Sequence, residues 1–398
     1  MGQSPQGETC NVNGEGVPLL NGPTEFGIKS PTPIQFTTDQ KKKCQVGDVL
    51  FCVRGSTTGR MNWADKVYAI GRGLAAIRHK EGSAYQHFIK GLLDYHLPTM
   101  LLSATGSTFP NVSGHDLNDL EIDLPPLPEQ KSIASVLSSL DDKIDLLHRQ
   151  NKTLEALAET LFRQWFIETV PQPSPNLSQG ERDKEEAEEG WEVVKVKDVC
   201  KTITKGTTPT TLGNNFVETG VNFLKAESLT DEGDLLENKF AHIDEATHEK
   251  LSRSKLEVND LIITIAGTIG RVAIVPERVL PANTNQALAI LRLAKNTISH
   301  IFLYCLFKST EVRNDFESRV VHAVQPNLSL GEIGDISFKL PPKGKLEFGE
   351  KELELIFQKK EKNNIQIRTL TRLRDTLLPK LMSGEVRVKD MEKTKYKL

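Results

Sequence analysis

The chain repeats itself at a distance of more than two hundred residues. Val46-Gly47-Asp48-Val49-Leu50, followed by Arg54-Gly55-Ser56-Thr57-Thr58-Gly59-Arg60, returns as Val258-Asn259-Asp260-Leu261-Ile262, followed by Ala266-Gly267-Thr268-Ile269-Gly270-Arg271, at an offset of 260 − 48 = 212. Leu74-Ala75-Ala76-Ile77-Arg78 matches Leu288-Ala289-Ile290-Leu291-Arg292 at 214, and Phe109-Pro110-Asn111-Val112-Ser113 matches Gln325-Pro326-Asn327-Leu328-Ser329 at 216. Leu124-Pro125-Pro126 matches Leu340-Pro341-Pro342, again at 216. Ordered matches with a slowly drifting offset define two homologous domains in tandem, and the period is far too long for a solenoid.

Each copy follows one plan. A β-rich part comes first, as in the short apolar run Asp260–Ala266 ended by glycine. A helical stretch follows (Ser299 to Phe316 in the second copy), then the Pro-Asn turn, a short strand and a Leu-Pro-Pro stop. After each stop the pattern becomes helical. The spacing of Leu137, Leu140, Ile144, Leu147, Asn151, Leu154, Ala158, Leu161 and Trp165 alternates three and four, which predicts a helix from about Pro128 to Glu168 with a heptad seam. Forty residues at 1.5 Å each make a rod of roughly 60 Å.

Adding 216 to that seam gives Leu353, Ile356, Lys360, Asn363, Ile367, Leu370, Arg374, Leu377 and Leu381 on a second helix from about Glu350 to Met382, which Pro379 should kink or end. Lys360, Asn363 and Arg374 suit a partner helix that answers their polarity, so the two helices are expected to pair antiparallel. Asn151 is either a polar residue tolerated near a solvated edge or a device that fixes register.

The expected organisation is a first domain over residues 1–127, a first spacer helix over 128–170, a linker over 171–190, a second domain over 191–343, a second spacer helix over 344–383 and a tail over 384–398. The linker carries Pro171, Pro173 and Pro175 and the charged run 181–189, a composition that favours a solvated segment. The fold class is α+β: two homologous α/β domains separated by two long antiparallel coiled-coil helices, with pseudo-twofold symmetry.

The second copy opens with Trp191-Glu-Val-Val-Lys-Val-Lys-Asp-Val199 before Lys205-Gly206-Thr207-Thr208-Pro209, whereas the first begins at the equivalent of that last stretch, Gly2-Gln3-Ser4-Pro5. Either the first domain lacks its opening strand or Glu385-Val-Arg-Val388 completes its sheet.

Bulk properties narrow the class. No run of about eighteen apolar residues exists, and Met1–Gly16 lacks the features of a secretory signal, so a cytoplasmic location is expected. Cys10, Cys44, Cys52, Cys200 and Cys305 are odd in number and scattered, which argues against a disulfide framework or a zinc site. His242 and His248 are six apart, the wrong spacing for a metal pair on a helix, and both read as surface residues. The formal net charge of −3 means that any nucleic-acid contact must come from local basic patches.

Gly2-Gln-Ser-Pro5, the Gly-Asp-Val-Leu and Asn-Asp-Leu-Ile strand starts, Gly55-Ser56, Gly267-Thr268, the paired Pro-Asn turns and above all Leu124-Pro-Pro-Leu-Pro-Glu-Gln130 leading into the long helix resemble the specificity subunits of Type I restriction–modification enzymes. The resemblance covers nearly the whole chain. It implies two target-recognition domains, each reading half of a bipartite asymmetric site in double-stranded DNA, on helices that set the spacing. It also implies two modification (methyltransferase) subunits carrying S-adenosylmethionine, joined for restriction by nuclease–translocase subunits. This chain itself would hold no cofactor, no metal and no catalytic site.

Candidate DNA contacts are Arg54, Arg60 and Arg271 beside glycine turns, Lys205 and Thr207 in the Gly-Thr-Thr-Pro loop, and Lys225 after an apolar run. Gly55, Gly59, Gly267 and Gly270 either let backbone approach a phosphate or, the preferred reading, merely close hairpins, and Asn111 and Asn327 either belong to binding loops or, again preferred, cap the chain before Ser113 and Ser329. Leu140, Ile144, Leu147, Asn151, Leu154, Leu161, Trp165, Ile367, Leu370 and Leu377 are the candidate spacer and partner-binding positions. No Asn/Asp-Pro-Pro-Tyr/Phe methylase loop and no Walker lysine occurs, since every Pro-Pro follows leucine. Two other classes compete. One is an interaction scaffold without DNA binding, which the net charge suits; the other is an enzyme fused from two related domains.

Overall fold

The computed structural model describes residues 1–27, 29–103, 110–168, 190–320 and 327–388. The linker, Phe109, Gln325, Pro326 and the lysine-rich end of the tail lie outside them, apart from Gly190. The chain divides into two compact units, Met1–His148 with Asn364–Leu398 and Arg149–Asn363. The long helices, Leu127–Phe166 and Lys343–Met382, therefore form no unit of their own, and each contributes one part to each unit.

The first unit holds β1 (Cys10–Asn11), β2 (Val17–Leu20), β3 (Gln35–Thr37), β4 (Val49–Cys52), β5 (Met61–Trp63), β6 (Ala69–Ile70) and β7 (Leu74–Ile77), in sheets ordered β1-β3-β2-β6 and β5-β4-β7. The second holds β8 (Glu192–Lys195), β9 (Cys200–Lys205), β10 (Val221–Leu224), β11 (Ala241–Ile243), β12 (Leu261–Thr264), β13 (Val272–Ile274), β14 (Ala282–Thr284), β15 (Leu288–Leu293) and β16 (Ser337–Leu340), ordered β11-β10-β14, β13-β12-β15-β9 and β16-β8. The repeat is thus structural. The antiparallel set β5-β4-β7 matches β13-β12-β15, and the parallel pair β2–β6 matches β10–β14.

The repeated motifs have a common cause. Val49–Cys52 and Leu261–Thr264 are buried throughout, so each is a central strand. The aspartate that starts each strand is buried and paired with the arginine that ends the Leu-Ala motif. Arg78 Nε and Nη2 donate to Asp48 Oδ1 and Oδ2, each at 2.7 Å. Arg292 Nε and Nη2 donate to Asp260 at 2.8 and 2.7 Å. A planar fork on a buried carboxylate locks two neighbouring strands in register.

The first unit has no counterpart of β8 or β9 among the described residues, so β7 lacks the neighbour that β15 has in β9. Two expectations change here. Residues 121–124, equivalent to β16, form no strand, because the partner strand β8 has no equivalent beside them. Residues 385–388 form no strand either: Val386 and Val388 pack with Ile122, Phe88 and Ile133, and the Val388 N–H donates to Glu129 Oε1 at 3.0 Å. The tail therefore seals the first unit by apolar contact instead of by a ladder.

Asn111 and Asn327 are not caps. Asn111 bridges Arg54 and Asn327 bridges Ala266, while Ser113 and Ser329 form the capping boxes with Asp116 and Glu332. The helical stretch of the second copy is two helices, His300–Lys308 and Thr310–Val320. Pro379 lies inside the second long helix, which ends three residues later.

Within each unit the two long helices pair antiparallel, and the polar seam residues find partners. Arg374 Nη1 donates to Asp141 Oδ1 at 3.0 Å in the first unit. In the second, Asn363 Nδ2 donates to Asn151 Oδ1 at 2.9 Å, and Lys360 Nζ to Glu155 Oε1 at 2.6 Å. Asn151 thus stands in a buried polar pair. Leu147 is buried, while Leu140, Ile144, Leu154, Leu161, Trp165, Ile367, Leu370 and Leu377 are half-buried. The deepest line at the end of the first helix runs instead through Ala158, Phe162 and Phe166, with Phe166 packed on Gly349.

Candidate nucleic-acid interface

One end of the central sheet in the second unit gathers residues from four distant stretches. Register sets Thr264 opposite Leu288 and Lys205 opposite Ala289, and the Thr264 N–H donates to the Arg271 carbonyl at 2.9 Å. Beyond β9 the chain crosses this end: the Gly206 N–H donates to the Leu288 carbonyl (3.3 Å) and the Thr207 N–H to the Thr284 carbonyl (3.1 Å). A Cβ on Gly206 would stand 1.9 Å from the Thr284 carbonyl oxygen, so only glycine fits this crossing. The Asn285 N–H donates to the Leu224 carbonyl at 3.3 Å, which places Lys225 on the same rim. Lys205, Thr207, Lys225 and Arg271 are therefore neighbours along one end of the sheet.

The first unit builds the same rim with the same backbone bonds. The Gly2 N–H donates to the Leu74 carbonyl at 2.8 Å, Gln3 to Ile70 at 2.9 Å, Gly71 to Leu20 at 2.8 Å and Cys52 to Arg60 at 2.8 Å. Gly2 is as confined as Gly206, its Cβ position lying 2.2 Å from the Gly71 carbonyl oxygen. The frame equates Arg60 with Arg271, Gln3 with Thr207, Ser4 with Thr208, Asn21 with Lys225, and Arg72 with Gln286.

The basic residues differ in their commitments. Arg54 and Arg60 are exposed, and no hydrogen bond or ion pair engages their side chains among the described residues. Arg271 is held within the protein: Nε donates to Asp231 Oδ1 at 2.7 Å and Nη1 to the Leu229 carbonyl at 3.1 Å. The guanidinium keeps the Asp231 carboxyl below its ordinary range. Within the protein it anchors the 229–235 turn. The Lys225 ammonium lies 4.8 Å from the Phe216 ring centroid and 3.9 Å from Glu227, and the Thr208 hydroxyl bonds Gln286. Gly55, Gly59, Gly267 and Gly270 all have positive φ, between 75° and 91°, as their turns require.

Asn21, Arg72, Asn285 and Gln286 escaped the sequence reading. Extending the 214-residue offset two positions back from the Leu-Ala motif would have aligned Arg72 with Gln286, but Gly71-Arg72-Gly73 shares no residue with Asn285-Gln286-Ala287.

His248 also departs from expectation. It is buried, its Nδ1 bonding Asn283, while His242 is half-buried in β11. Glu245, His248 and Glu249 lie close together, but Glu249 pairs with Lys255 at 2.5 Å. All five cysteines are free. Among the described residues no helix is long and apolar enough to cross a membrane.

Residues 13–156 and 188–371 match the family model described as Type I restriction modification DNA specificity domain. The Type I restriction enzyme MjaIX specificity subunit of Methanocaldococcus jannaschii is 29% identical over 289 residues, covering 72% of this chain and 65% of the relative. The putative MjaX specificity subunit of the same organism is 37% identical over 155 residues, 39% of this chain and 36% of the relative. The chain thus aligns with less than two thirds of either relative's length. The crystal structure of a Type-I restriction-modification system S subunit from M. genitalium superposes with a TM-score of 0.51 at 21% identity, covering 96% of this chain and 92% of the other, and so shares the fold. The two copies matched by one model and the two copies of one fold agree: this chain belongs to the Type I restriction modification DNA specificity family.

Proposed function

We propose that this chain is the DNA-reading subunit of a Type I restriction–modification complex, with each unit reading one half of a bipartite site. The observation that carries this is the rim built twice on one backbone frame with different side chains, a design suited to reading two different half-sites. Exposed Arg54 and Arg60 in the first unit and exposed Lys205 in the second supply charge for phosphates, and the polar side chains of each rim read base edges. The paired long helices act as the spacer and the seat for two modification subunits, which bring S-adenosylmethionine and perform the methyl transfer. Restriction subunits join that assembly for cleavage, and this chain takes no chemical step itself.

Methylation mapping of DNA treated with the assembled modification complex tests the reading. A bipartite motif with two unlike halves is the expected result. An inverted repeat would indicate a single working unit used twice, and the absence of any motif would remove the proposal. A salt titration of DNA binding separates the scaffold reading, since phosphate contacts make affinity fall steeply with salt.

A further inference from the structure

Resting on that reading, we infer that Arg72 and Gln286 are paired base-reading side chains that make the two half-sites differ. Three observations point to them. Their backbones sit at one place in one frame: Gly71 and Asn285, the residues just before them, donate to the Leu20 and Leu224 carbonyls at 2.8 and 3.3 Å, while Leu74 and Leu288, two residues after, accept from Gly2 and Gly206. Both side chains are exposed, Arg72 at the sheet end of the first unit that carries Arg60 and Gln286 at the sheet end of the second that carries Lys205. The frame itself is made by main-chain groups: the Arg72 backbone N–H donates to Ser4 Oγ at 3.3 Å and the Arg72 side chain adds nothing to it, while Gln286 Oε1 accepts from the Thr208 hydroxyl and keeps its amide N–H groups for a base.

The chemistry of the two side chains is unlike in the way base readout requires. A guanidinium offers two parallel donors, which fit the O6 and N7 acceptors of guanine. A carboxamide offers one donor and one acceptor, which fit N7 and the N6 amine of adenine. The first unit therefore demands guanine and the second adenine at the position each of these residues faces. The flanking residues are engaged within the protein: Asn21 Nδ2 donates to Gln35 Oε1 at 3.1 Å, and Lys225 is seated over Phe216.

The test selects bound sequences from a random DNA pool with the assembled complex carrying R72Q, R72K or Q286R. R72Q should change one position in one half-site from guanine to adenine and leave the other half intact; Q286R should do the converse. R72K keeps the charge but loses the planar fork, and should relax selectivity at that one position. An unchanged motif, or uniformly weaker binding with the motif retained, would overturn the assignment and leave Arg72 a phosphate contact. The unmodified complex run alongside distinguishes failure of the underlying reading, because it would then select no bipartite motif.

Discussion

Lys360 Nζ lies 2.6 Å from Glu155 Oε1 and 3.3 Å from Asp234 Oδ1, a cation with little solvent access held between the two long helices and the 229–235 turn. Burial opposes its charge, but the two carboxylates prevail and raise its pKa above the ordinary value. Tyr304 adds its hydroxyl to Glu155 at 3.0 Å. Removing one member of a buried pair strands the other, so K360M should destabilise the second unit by about 3 kcal/mol. Denaturant unfolding followed by the fluorescence of Trp165 and Trp191 measures it. The double variant E155L/K360M should recover most of the loss; equal instability of single and double variants would contradict this account.

The equivalent arginines should separate stability from binding. R271A loses the Asp231 pair and the Leu229 carbonyl, and should cost about 1 kcal/mol, a small value because Asp231 is largely exposed. R60A has no such bonds to lose. It should leave the melting temperature unchanged while weakening binding to all DNA sequences and lowering the salt slope by about one. Melting curves and salt-titrated binding on the same two proteins decide the matter.

Gly206→Ala should damage one half of the proposed recognition without unfolding the first unit. The added Cβ meets backbone on the crossing chain, which a rotamer change cannot relieve. Loss of sequence selection in one half-site is the expected outcome, with the other half retained. Normal selection by G206A would show that the crossing can widen.

Two histidines set an acid limit. Burial depresses the pKa of His87 in the first unit and of His300 in the second below the ordinary 6.5, against weaker opposing carboxylates. The folded state therefore holds them neutral while the unfolded chain takes up protons. Stability should be full above the unfolded value, fall as pH drops below it, and level off once pH passes the depressed folded value. Melting temperatures between pH 7.5 and 5.5, approximate working limits around that unfolded value, should decline less in H87Q and H300Q than in the unmodified protein.

The duplication, the long helices and the polarity of their seam were legible because each leaves a regular trace. Lys360, Asn363 and Arg374 break the apolar spacing, and each proves to face a polar residue of the other helix. The deep positions Phe162 and Phe166 were not legible. They lie one position beyond Leu161 and Trp165 and are drawn inward by Phe302, about 5 Å away between ring centroids. The role of Arg78 and Arg292 was visible only as a repeated letter, since their buried partners come from neighbouring strands. The rim was half legible: Gly2 and Gly206 repeat because their crossings exclude a Cβ, but the rest of the frame is made of main-chain bonds that place no demand on side-chain identity, so no pattern marks Asn21, Arg72 or Gln286.

That indifference has a consequence for how such a protein changes over generations. Mutations at Arg72 or Gln286 touch neither the buried strands nor the main-chain bonds that shape the loops, and at Gln286 cost only the Thr208 hydroxyl bond. New preferences can therefore arise one substitution at a time, in one copy while the other stays constant, without first passing through a poorly folded ancestor.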